Sequence, residues 1–331
     1  MASLSTVGEF ELIAAIAEVA ASAGRARGVR VGIGDDAAVV ETAGAAILTT
    51  DAQTEDVHFR RGWLSCADLG RRAVRVSVSD IAAMGGRARY LLLSLGLPTD
   101  LRSAEARALV SGVVEEAGST GASLVGGNLS RAPGLSVVVS VIGEPVGESI
   151  TRSGARAGDI VLVTGTLGGA AAGVELLESG RRRGALVDAY RSPPCRLDVA
   201  AALSRAGLAT AMIDVSDGLG QDLDHLCRLS GVSAIVDADE LPLHPALARA
   251  RSLEHRPIDY ALGGGDDYEL LFTVRGVKAE ARAARLCASR ACMLSRVGEI
   301  VGAARAGPRV RDRAGHAISD RGFSHFGTAG R

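Results

Sequence analysis

The sequence predicts a two-part α/β protein, and three observations carry that expectation. The chain has 331 residues, 47% of them hydrophobic, enough for two core-bearing units. Apolar runs of strand length alternate with stretches of helical spacing. A polar stretch over residues 143–159, holding Pro145 and several glycines, divides the chain.

The elements follow in order. Leu12, Ile13, Ile16, Val19 and Ala20 recur at helical spacing, which predicts an amphipathic helix over residues 9–23. Strand-length apolar runs follow at 37–40, 46–49, 90–97 and 135–142. Ser65 and Asp68 form a Ser-x-x-Asp helix start, and the sequence stays helix-compatible to Gly85-Gly86. Residues 102–117 give a second helix. Beyond the divide come a strand at 160–164, a glycine-rich turn at 165–169 and a helix at 170–178. A helix over about 218–229, strands near 233–236 and 269–274, and a polar tail complete the second half. The expected units are 1–146 and 147–331.

Composition narrows the function. With 37 basic and 38 acidic residues there is no electrostatic footprint for nucleic acid or an anionic membrane. The run Arg181-Arg182-Arg183 lacks an aromatic platform and reads as a solvated helix end. Five scattered cysteines without C-x-x-C suggest reduced thiols and a cytoplasmic setting. Glu9, Glu11 and Glu18 interrupt the apolar residues of the amino terminus, which therefore does not resemble a signal peptide, and no run is long enough for a membrane span.

Five segments combine small residues with clustered acids: Gly32–Asp36, Thr49–Asp51, Ser79-Asp80, Asp214–Gly218 and Gly263–Asp267. Each alone is compatible with an ordinary Asx turn. Together they supply hard oxygen ligands with room for a phosphate, which suits Mg²⁺ shared between carboxylates and substrate. Crowded aspartates repel one another, and a bound cation removes that cost. Lys278 is the single lysine and sits in neither a P-loop nor a kinase strand, so phosphates must be met by metal, arginine and backbone N–H groups. Gly165–Ala170 reads as a tight strand-to-helix turn more readily than as a phosphate cradle. His58 is open between packing and function, and Cys287 and Cys292 are expected on a helix face.

These segments resemble the thiamine-monophosphate kinases, of the superfamily that includes aminoimidazole ribonucleotide synthetase, selenophosphate synthetase and the hydrogenase maturation factor that dehydrates carbamoyl groups. The matching motifs are GIGDDAAVV (32–40), TTD (49–51), VHF (57–59), SVSDIAAMGG (77–86), ITRSG (150–154), VTGTLG (163–168), IDVSDGL (213–219), GGGDDYELLFT (263–273) and GFSHF (322–326). The resemblance implies ATP- and Mg²⁺-dependent phosphorylation of thiamine monophosphate to thiamine diphosphate. It also implies a synthetase-like fold and a homodimer, with amino-terminal halves sharing a β-barrel and carboxy-terminal halves forming α/β layers.

Carried over by position, Asp36, Thr49, Thr50, Asp51, Asp80, Asn128, Asp214 and Asp217 look like metal ligands, with Asp51, Asp80 and Asp217 central to catalysis. Gly127, Asn128, Arg152 and Ser216 look like ATP contacts, and His58, Asp266 and Phe323 like substrate contacts. The family often has Gly-Gly-Asp-Thr-Thr where this chain has Gly126-Gly127-Asn128-Leu129-Ser130, so Asn128 offers an oxygen without a charge. Position 266 is Asp where Glu is common, which shortens its reach. The alternatives are a non-catalytic nucleotide-binding paralogue or a related ATP-using synthetase with a different acceptor. The missing amino-terminal nucleophilic-cysteine motif and carboxy-terminal cysteine speak against two of those relatives.

Overall fold

The computed structural model describes residues 29–31, 38–41, 44–304 and 307–318, which form two six-stranded sheets and eight α-helices. The helix expected over residues 9–23 lies outside the described residues.

The first sheet comprises β1 (Val29–Val31), β2 (Ala38–Glu41), β3 (Ala45–Thr54), β4 (Gly86–Leu97), β5 (Ser123–Arg131) and β6 (Ser136–Pro145), in the order β1-β2-β3-β6-β4-β5. Only β4 and β5 run parallel, so the chain between them must cross over, and it does so through α2 (Ser103–Ser119). Along β6, Val137, Val139 and Val141 alternate inward at the two-residue period of a strand. The inward face receives α1 (Cys66–Ala83). As the sequence predicts, Ser65 caps this helix: its Oγ accepts the Asp68 N–H at 3.1 Å. Leu69, Val74, Val76, Val78 and Ile81 are buried around its circumference, because α1 lies between the first sheet and the second half of the chain. The first sheet is open, and no closed barrel forms among the described residues.

The second sheet orders β12 (Val310–Asp312), β9 (Ser233–Val236), β11 (Leu294–Val301), β7 (Ile160–Thr164), β10 (Leu270–Val274) and β8 (Ala209–Asp214). Every residue of β7 and β10 is buried, since helices cover both faces. Toward α1, Leu162 and Phe272 join the core with α3 (Gly169–Glu178), α4 (Ala185–Arg191), α5 (Leu197–Arg205) and α8 (Gly276–Ala288). On the other face Val161, Val163 and Leu271 pack with α6 (Leu219–Ser230) and with Ala261 of α7 (Pro257–Gly263). None of the described helices is long and apolar enough to cross a membrane.

The expected polar tail is in part structured: α8, β11 and β12 follow β10. The sequence hid α8 because only Ala283 and Cys287 on it are buried. Cys287 packs on that helix face; Cys292 lies just past the helix, its N–H donating to the Cys287 carbonyl at 3.0 Å. The arginine run follows α3 as an exposed helix end, and Arg182 donates to the Leu177 carbonyl at 2.6 Å.

Candidate active site

Thr49 and Asp51 alternate to the same face of β3, the face that α1 covers. There the Thr49 hydroxyl donates to Asp80 Oδ2 at 2.5 Å. Thr50 points to the opposite face, where its Oγ1 lies 2.9 Å from Ser140 Oγ. Asp80 stands in the last turn of α1 beside Ser79, whose hydroxyl donates to Asp214 Oδ2 at 2.6 Å. Asp214 ends β8, so this buried bond ties the two halves of the chain together at the acid cluster.

Past Asp214 the chain turns sharply into α6. Asp222 Oδ2 accepts the N–H groups of Ser216, Asp217 and Gly218, each at 3.1 Å. Gln221 donates to Asp217 Oδ2 at 3.1 Å. The turn is zipped to the second glycine-rich loop. Val215 N–H donates to the Glu269 carbonyl at 2.8 Å, Tyr268 N–H to the Val215 carbonyl at 2.8 Å and Asp266 N–H to the Ser216 carbonyl at 2.9 Å. Glycine at 265 is required by this approach, since a Cβ there would lie 2.2 Å from the Ser216 carbonyl oxygen.

The three acids of that loop part company. Asp266 pairs with Arg72 at 2.8 Å. Asp267 accepts the Gly168 N–H at 2.7 Å, so the Gly165–Ala170 turn is filled by a carboxylate of this chain, in keeping with its expected role as a tight turn. Glu269 takes a two-pronged bond from Arg196, both arms at 2.6 Å, and the Thr164 hydroxyl at 2.6 Å.

Negative charge accumulates here. Burial and the neighbouring Asp266 carboxylate push Asp51 up to about 6, against the pull of Arg72. Burial, then Asp217 and Asp214, push Asp222 well above the usual carboxylate range, while Arg152 draws it down. Burial, with Arg152 and Arg228 nearby, pushes His225 down to about 4. Arg152 thus lies within electrostatic reach of Asp222 and His225. His58 accepts the Thr54 N–H on Nδ1 at 3.1 Å, and its carbonyl accepts the Tyr190 hydroxyl at 2.6 Å.

The structure thus gathers Thr49, Asp51, Asp80, Asp214, Ser216, Asp217, Arg152 and Asp266 around the junction of the two sheets. It does not bring Gly127 and Asn128 there. Both are exposed on β5, and Asp51, Val139, Leu93 and Gly127 lie in line across four strands, so Gly127 is about 14 Å from Asp51. Asp36 and Phe323 lie outside the described residues. Three contributors were not picked out from sequence. Asp222 could have been, as an acid in the first turn of a helix beginning at a glycine. Arg72 and Tyr190 had no signal, because their partners are remote in the chain.

Among the described residues no three His, Cys, Asp or Glu side chains gather closely enough to hold a metal ion on their own. The mutually repelling aspartates nonetheless fit a hard divalent cation that keeps its waters and arrives with a phosphate.

The sequence matches AIR synthase related protein, N-terminal domain, over residues 34–144, and the C-terminal domain of the same family over residues 156–311. It is 38% identical to a thiamine-monophosphate kinase of Aquifex aeolicus over 277 residues, 82% of this chain and 87% of that protein. It is 34% identical to the thiamine-monophosphate kinase of Bacillus subtilis (strain 168) over 310 residues, 90% of this chain and 94% of that one. The fold superposes on AaThiL complexed with AMPPCP and TMP with a TM-score of 0.85 and 32% identity, covering 98% of this chain and 99% of the other. Hydrogenase maturation protein HypE in complex with ATP shares the fold at 20% identity and a TM-score of 0.70, covering 86% of this chain and 87% of that one.

Proposed function

The chain belongs to the AIR synthase related family, and on that premise we propose that it transfers the γ-phosphoryl group of ATP to thiamine monophosphate, giving thiamine diphosphate and ADP. The observation that carries this function is the meeting of Asp80 and Asp214, from opposite halves of the chain, through Ser79, with Thr49 bonded to Asp80. Relatives named for this activity align over most of the chain, and a structural neighbour holds an ATP analogue together with TMP.

The acceptor is a phosphate oxygen already ionised at neutral pH, so transfer needs no general base. The difficulty is to bring two polyanions into line. Mg²⁺, when bound, supplies charge neutralisation and alignment of the phosphates. Asp51, Asp80 and Asp217 are the carboxylates on which transfer depends, with Asp36, Thr49 and Asp214 completing the donor set; Thr50, on the other face of β3, and Asn128, on β5, stand apart from it within one subunit. Arg152 and the Ser216 turn hold the nucleotide, and His58, Asp266 and Phe323 hold the thiamine end.

We place the domain boundary at residue 146 and propose a homodimer in which the amino-terminal sheets join into a barrel. Tyr90, Leu92, Val125 and Leu129 leave large apolar side chains exposed on the open β4–β5 edge, Leu129 at 70%. Gly127 and Asn128 sit on the same edge and belong to a nucleotide site completed across that interface.

The test is ADP release with thiamine monophosphate, ATP and Mg²⁺, with the product identified by chromatography. Thiamine diphosphate is expected only when all three are present. Folded protein that binds ATP with Mg²⁺ but forms no product would overturn the assignment.

A further inference from the structure

Resting on the kinase function, we infer that Arg72 is a positioning residue that aims Asp266, and with it the His58 loop, at the donor-bearing end of the substrate. Arg72 is 1% exposed in the middle of α1, and a buried guanidinium persists only where its partners are well placed. Its Nη2 meets Asp266 Oδ1 at 2.8 Å, and its Nη1 donates to the Tyr190 carbonyl at 2.5 Å. The guanidinium lies 4.2 Å from the centre of the Tyr190 ring and 5.9 Å from that of Tyr268. Its Nε makes no hydrogen bond, so the two terminal nitrogens carry its polar contacts.

These contacts lead to two of the three residues expected to hold substrate, Asp266 directly and His58 through Tyr190. Tyr268 donates its hydroxyl to the same Oδ1 of Asp266 at 2.9 Å. Both bonds fall on one oxygen, while the Asp266 side chain remains 30% exposed; Oδ2 is therefore the oxygen left to accept from a ligand. The loop backbone is held in an unusual shape to achieve this, with φ of 69° at Asp266 and 49° at Tyr268. Tyr190, pinned through its carbonyl by Arg72, passes its hydroxyl to the His58 carbonyl at 2.6 Å. One arginine thus sets both sides of the subsite. The ligand chemistry that fits Asp266 Oδ2 is an amino-substituted heteroaromatic cation, which thiamine monophosphate is. Lysine could keep the charge but neither the fork nor the stacking.

The experiment measures turnover and equilibrium binding of thiamine monophosphate for wild type, Arg72→Lys and Tyr268→Phe. Tyr268→Phe removes one bond to Asp266 without altering charge and guards against an arginine variant that fails to fold. KM and Kd for thiamine monophosphate are expected to rise about tenfold in each variant, with KM for ATP unchanged. Wild-type affinity for thiamine monophosphate in folded Tyr268→Phe, or an equal rise in KM for ATP, would overturn the positioning role. Wild-type protein that binds thiamine monophosphate but never turns it over would instead overturn the kinase function, so the two fail separately.

Discussion

Asp51 shows how a single carboxylate registers its surroundings. Burial and Asp266 hold its pKa near 6, above the ordinary 3.8, so between about pH 4 and pH 6 the folded chain keeps a proton that the unfolded chain has lost. Its contribution to stability is complete below that window and is lost as pH rises through it. Urea midpoints in EDTA are therefore expected to fall between pH 4 and 6, and to fall less steeply in Asp51→Asn. Mg²⁺ should flatten the wild-type slope, because it removes the same repulsion. In catalysis, Asp51→Asn or Asp80→Asn is expected to lower kcat by about 100-fold or more with the fold intact, checked by steady-state assay beside circular dichroism. Near-wild-type turnover at saturating Mg²⁺ would refute their assigned roles. Asp222, by contrast, holds three N–H groups of the Asp214–Gly218 turn and acts through the backbone.

At the scale of elements, glycines decide how closely the parts approach. A Cβ at Gly70 would lie 2.1 Å from the Leu109 carbonyl oxygen, and one at Gly112 the same 2.1 Å from that of Ala67, so α1 and α2 touch backbone to backbone. Gly112→Ala is expected to cost about 1–3 kcal/mol of stability in urea unfolding while folded protein keeps its turnover. Gly265→Ala should behave differently. It separates the Ser216 turn from the Asp266 loop, so kcat and substrate affinity should both drop in protein that still folds, seen in kinetics and calorimetry. Elements with a strong period or punctuation were legible: the strand at 160–164, the strand at 233–236 and the Ser65 cap match the structure. β5 was not, because an edge strand reading Ser-Leu-Val-Gly-Gly-Asn-Leu-Ser-Arg buries almost nothing and so leaves no alternation.

For the whole molecule, the organising fact is that α1 belongs to one half in sequence and to both in packing. Its core is continuous with Leu162, Phe272 and Leu203 of the second half, and Ser79 on it reaches Asp214. The exposed β4–β5 edge then sets the expectation for assembly. Sedimentation should show a dimer for wild type, and Leu129→Glu should shift it toward monomer with loss of turnover. A monomeric wild type of full activity would refute the shared interface.

By itself the sequence determined the two-part α/β plan and the aspartate segments, because hydrophobic period and glycine–acid clusters are local properties of the chain. The family and its chemistry were legible too, through motifs spread nearly end to end. Only the tertiary structure decided how those acids are used: Asp267 to fill a turn, Glu269 to pair with Arg196, Asp266 to be aimed by Arg72. Adjacent carboxylates with identical sequence signals took different roles because partners as much as 194 positions away came to rest against them, and distance along the chain carries no record of that.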